Sequence, residues 1–165
     1  LFPTAIEALA RFIDAAGLGP ADIAPVSVGL RHEPIELPRG IRLESLGKLP
    51  WERYPEYLLG VDVGLSLMYS PHPSHPPLEM AASGVRVVTN NFGAKDLSRL
   101  SGAIQSVAPT PEALSGALRR AWEAGPVPDE MRQVDLGQLG PGMDQMIDRL
   151  SQELVTMGLP REGQA

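Results

Sequence analysis

Two aliphatic, β-branched runs, VDVGLSLMYS at 61–70 and VRVVTN at 85–90, flank a single short connection. That connection holds a proline-rich elbow (PHPSHPP), a compact helical segment LEMAAS (78–83) and a stop at Gly84. Both runs read as buried strands, and the second sets Val87 and Val88 on successive residues, the pattern of a strand covered on both faces. A strand, a crossover helix and a second such strand pair in parallel, and the crossover is right-handed. This unit restricts the chain to the α/β class.

The flanking sequence repeats the alternation. Residues 4–16 place Ile6, Leu9, Ile13 and Ala16 on one helical face, with Pro3 near the start and Gly17 at the stop. Glu7, Arg11 and Asp14 lie on the other face and read as solvated. Strands are expected at 25–30, 41–49 and 103–109, and a short helix or two turns at 50–60, where Pro55 limits regularity. Helix 110–124 has Thr110 as N-cap, Pro111 in the first turn and Leu114, Leu118 and Trp122 at helical spacing. A last amphipathic helix spans 143–157, and PREGQA reads as a frayed tail. The expected fold is a Rossmann-like doubly wound parallel sheet with helices on both faces, and ligands beyond the carboxyl ends of its strands. Such a sheet begins with a strand, whereas this chain begins with a helix, so a first strand is expected to be missing from the chain. Residues 1–125 read as the binding domain, and 126–165 as a linker, helix and tail packing on it.

The formal net charge is −6 with 14 Lys and Arg, and no basic stripe interleaved with aromatics occurs, which disfavours a nucleic-acid partner. No apolar run is long enough to span a bilayer, and no signal peptide is legible. The absence of Cys removes disulfides, thiolate metal sites and cysteine nucleophiles. The expected location is the cytoplasm, with attachment at the inner membrane face left open.

Residues 66–92 carry the chemistry. The elbow delivers Ser70, His72, Ser74 and His75 to a helix start, where unpaired N–H groups and the positive dipole end favour a phosphate. Pro76 and Pro77 lack an N–H, so Leu78, Glu79 or their neighbours are the expected donors. Glu79 lies one turn into the helix, where an ionised carboxylate can accept both hydroxyls of a ribose. Glu79, Met80, Ala81, Gly84 and the strand Val85–Val88 resemble the donor site of GT-B glycosyltransferases. Many retaining members carry an additional Glu where this chain has Pro71.

The run SPHPSHPPLEMA resembles bacterial rhamnosyltransferases that build rhamnan or S-layer glycans from dTDP-rhamnose, and the likeness covers most of residues 1–125. The resemblance implies that Lys48, in LGKL, sits against a pyrophosphate and that Leu49 and Pro50 border the base. It also implies a dTDP- or UDP-sugar donor and no cofactor. The glycan acceptor and the base would belong to an amino-terminal domain, leaving this chain inactive alone and its own catalytic residues unassigned. An Arg that usually joins the Lys belongs to a first strand, upstream of Leu1.

Other readings of these residues are weaker. His72, His75 and Glu79 could ligate a metal, since His75 and Glu79 have helical four-residue spacing, but the prolines oppose the geometry and no metal is expected. A catalytic-base role for His72 lacks support. Met68, Tyr69 and Met80 could flank a sugar, yet beside a parallel sheet they are expected in the core. Two other functions remain open: a non-catalytic nucleotide- or partner-binding module, and an enzyme resembling sugar-nucleotide epimerases.

Overall fold

The computed structural model describes residues 1–140 and 142–157, so the PREGQA tail lies outside the described residues. The chain forms α1 (Phe2–Ala16), β1 (Val26–Val28), β2 (Ile35–Glu36), β3 (Arg42–Gly47), α2 (Arg53–Leu58), β4 (Val63–Ser66), α3 (His75–Ala82), β5 (Arg86–Asn90), β6 (Ile104–Val107), α4 (Pro111–Glu123) and α5 (Met143–Thr156). It divides into two units, one ending at Val134 and one beginning at Asp135. In the second, Asp135 caps a 3-10 turn at Leu136–Leu139, and α5 carries Ile147, Leu150 and Leu154 along one side.

In the first unit β4, β5 and β6 pair in parallel in that order, with Val63 opposite Arg86 and Val87 opposite Ile104. β1 pairs in parallel with β3, while β2 adds to the other side of β3 in antiparallel fashion. The architecture is a Rossmann-like α/β fold. In place of the one parallel sheet expected, the strands pair as two groups of three, and the first includes the antiparallel β2, which is too short to show a pattern in the sequence. Among the described residues no strand bonds to the outer edge of β1 or of β4.

Two apolar layers sandwich β5. Val88 joins a cluster with Ala8, Phe12 and Ile13 of α1 and Leu114, Ala117 and Leu118 of α4. Val87 faces the other way, into Leu58, Met80, Ala81, Leu97 and Ile104. Alternation along an extended strand sends the two valines to opposite faces, and both have 0% of their surface exposed. α1 stops at Gly17, whose φ of 70° suits a residue without a Cβ. α4 starts where Thr110 Oγ1 accepts from the Ala113 N–H at 3.3 Å. The helices meet through an edge-on Phe12–Trp122 contact at 6.4 Å and an Arg11–Glu112 ion pair. That ion pair is exposed, so the apolar contact dominates. Residues 126–134 return over the second cluster, held where Arg86 Nε donates to Gly125 O and Ser101 Oγ to Met131 O.

Leu114 is fully buried, so Leu114→Ala is expected to lower the unfolding free energy by about 3 kcal/mol in urea denaturation, against about 1 kcal/mol for Thr110→Ala. Gly64→Ala should cost about 1–3 kcal/mol, because a Cβ there would overlap Met80 Sδ in the second cluster. Equal midpoints for all three variants and the parent would refute this account of the core.

Candidate functional site

β5 ends in a polar residue that organises the adjacent strand exit. Asn90 is fully buried; its side-chain oxygen accepts from the Met68 N–H at 2.8 Å, and its amide donates to Met68 O at 3.1 Å and Asn91 O at 2.9 Å. Thr89 Oγ1 donates to Ser66 O at 2.7 Å. The chain therefore leaves β4 along a fixed path. Lys95 reaches the same carbonyl, with Nζ donating to Met68 O at 3.0 Å. Burial lowers the pKa of this ammonium, and among the described residues no ion pair includes it. Asp96, next in the chain, is turned toward the Ser98 N–H and hydroxyl, and those bonds hold its carboxyl below the usual range.

The elbow follows. Ser70 Oγ accepts from the His72 N–H at 3.1 Å, so this hydroxyl closes the turn. The exposed His72 and His75 rings stack at 6.2 Å, and Ser74 is buried without capping the helix through its side chain. α3 begins at His75, three residues before the helical segment expected from sequence, because prolines fit a first helical turn. Glu79 is the fifth helical residue, so its N–H falls inside the helical ladder. Leu78 is the fourth, and among the described residues no backbone bond joins its N–H to Ser74 O. With Pro76 and Pro77 lacking an N–H, the amides at the tip are those of Ser74, His75 and Leu78.

Glu79 is exposed. The Tyr54 phenol has a raised pKa, mainly from burial and secondly from the charge of Glu79, so the carboxylate lies within electrostatic reach of Tyr54. Tyr54 lies in α2, directly after the segment Lys48–Leu49–Pro50, and Pro50 O accepts from the Arg53 and Tyr54 amides at 3.0 and 3.1 Å. Lys48 and Pro50 are exposed and Leu49 is half-buried. The fold thus brings Glu79 within electrostatic reach of the helix that follows Lys48. Among the described residues no hydrogen bond ties Ser70, His72 or Ser74 to Lys48, Leu49 or Pro50.

Tyr69 and Met68 depart from expectation. They are 62% and 37% exposed, because both lie beyond Ser66, the last paired residue of β4, and Tyr69 packs its ring against Phe92 at 5.7 Å. Met80 is in the core as expected. Sequence reading missed Asn90 and Lys95. A polar residue ending the apolar run VRVVTN was a usable signal for the first, whereas no local pattern marks the second. A cavity of about 240 Å³ lined by Asp62, Val63, Ala121, Trp122, Gly125 and Pro126 lies at the amino end of β4, opposite the elbow, and is distinct from this site.

Among the described residues no helix is long and apolar enough to cross a membrane. Residues 1–119 match the family described as WsaF, C-terminal domain. Over 111 residues, 66% of the chain, the sequence is 38% identical to the O-antigen biosynthesis protein RfbC of Myxococcus xanthus, and the match spans 8% of that protein's length. With most of its length matched, from the first helix into α4, the chain belongs to the WsaF C-terminal domain family.

Proposed function

We propose that this chain is the donor-binding part of a GT-B glycosyltransferase of bacterial surface-polysaccharide synthesis, with a dTDP- or UDP-sugar, dTDP-rhamnose foremost, as donor. The observation that carries the reading is the placement of Glu79, exposed and within electrostatic reach of Tyr54 near the start of the helix that follows Lys48. The name of the Myxococcus xanthus relative, an O-antigen biosynthesis protein, supports the same process.

Lys48 supplies a mobile point charge for the diphosphate, and the Ser74, His75 and Leu78 amides add donors at the dipole end of α3. As the sugar–oxygen bond breaks, negative charge grows on the departing nucleoside diphosphate, and cations fixed there lower the barrier. Glu79 accepts from the ribose hydroxyls and holds the nucleoside in register, while Leu49 and Pro50 border the base. The acceptor and its base come from outside this chain, so binding and not turnover is the activity assigned to it. The cytoplasm, where nucleotide sugars are made, is the location this reading requires.

Titration calorimetry with dTDP is expected to show binding that Glu79→Ala weakens about ten-fold or more. Lys48→Met should weaken dTDP binding while leaving thymidine binding unchanged, since only the diphosphate meets the ammonium. A folded chain that binds neither dTDP nor UDP would overturn the assignment and favour a partner-binding module.

A further inference from the structure

Sequence reading left the diphosphate with one side-chain cation, Lys48. The loop after β1 brings a second, Arg31. Ser27 on β1 and Ser45 on β3 are register partners, so their hydroxyls lie side by side on one face of the strand pair. Both hold His32. Its backbone N–H donates to Ser45 Oγ at 3.2 Å, its Nε2 lies 2.6 Å from Ser27 Oγ, and its Nδ1 lies 2.7 Å from Glu33 O. A carbonyl only accepts, so Nδ1 carries a proton, and in the neutral ring Nε2 accepts from the Ser27 hydroxyl. The Phe2 ring of α1 packs on the imidazole at 5.3 Å. Four contacts on one residue fix the loop over its two strands.

The preceding residue is thereby aimed. The Arg31 guanidinium lies against Gly47, so close that a Cβ at Gly47 would stand 3.2 Å from its Nε and 3.3 Å from its Nη2. Gly47 ends β3 with a φ of 69° and accepts from the Gly29 N–H at 3.0 Å. Both its conformation and the space beside it favour glycine. Lys48 is the next residue. Two exposed cations therefore stand at the carboxyl ends of parallel β1 and β3, and among the described residues neither forms an ion pair.

We propose that Arg31, held against Gly47 by the His32 network, binds the diphosphate of the nucleotide sugar jointly with Lys48; this inference rests on the donor-site reading above. A guanidinium presents a planar fork that matches two phosphate oxygens, whereas the ammonium is a compact charge that follows the ligand. An anion between them relieves their mutual repulsion. Base and sugar make no demand on this pair, so its chemistry is that of a diphosphate.

The test measures dTDP, thymidine and inorganic pyrophosphate binding to the full 165-residue chain, its Arg31→Met and Arg31→Lys forms, and Glu79→Ala. Arg31 is exposed, so its replacement should leave the fold, checked by amide spectra, unchanged. Arg31→Met is expected to weaken dTDP and pyrophosphate about ten-fold or more, to leave thymidine unaffected, and to be only partly restored by Lys. Glu79→Ala should spare pyrophosphate. If Arg31→Met binds dTDP like the parent while Glu79→Ala does not, the Arg31 inference falls and the donor-site reading stands. If the parent binds no nucleotide, both fall.

Discussion

Val87 and Val88 are adjacent on one strand, face opposite layers, and are both sealed from water, and this double burial is the constraint on which the rest of the molecule depends. A strand covered on both faces requires helices on both faces. The α1–α4 pair covers one side, and α2, α3 and the returning segment 126–134 cover the other. Burying an aliphatic side chain contributes about 1.5–3 kcal/mol, so two adjacent valines outweigh the exposed ion pairs around the surface.

The same constraint creates the site. A strand buried on both faces meets water only at its ends, and polar groups concentrate at the carboxyl end. Asn90 there bonds both the N–H and the carbonyl of Met68 and so sets the direction in which the chain departs from β4. Lys95 shares that carbonyl. The elbow can then expose Tyr69 and His72 without loosening the sheet. At the exits of β1 and β3 the His32 network does the equivalent job, with the Ser27 hydroxyl on its ring and the Ser45 hydroxyl on its backbone N–H.

Much of the fold was legible in the residue order. The 3.6-residue spacing of Leu114, Leu118 and Trp122 marked α4, with Thr110 as its cap, and the run at 85–90 became β5 with nearly the same bounds. Errors arose where a local rule had two outcomes. Prolines at 76 and 77 can precede a helix or open one, and they open it, which moves the helix start from Leu78 to His75 and adds the Ser74 and His75 amides to the tip. Tyr69 continues an apolar run but lies beyond the last paired residue of its strand, so composition placed it inside and pairing placed it outside.

Periodicity, caps and breakers act over a few residues, so the sequence by itself determined the layered α/β class, the principal helices and strands, and the elbow with Glu79 behind it. Which side chains meet across the strand exits was decided only by the tertiary structure. Ser27 faces Ser45, Arg31 lies on Gly47, Lys95 reaches Met68, and Glu79 acts on Tyr54. The partners in each pair are more than a dozen residues apart along the chain. Their meeting depends on strand register and helix placement, which are set by cooperative packing of the whole unit and by no local pattern.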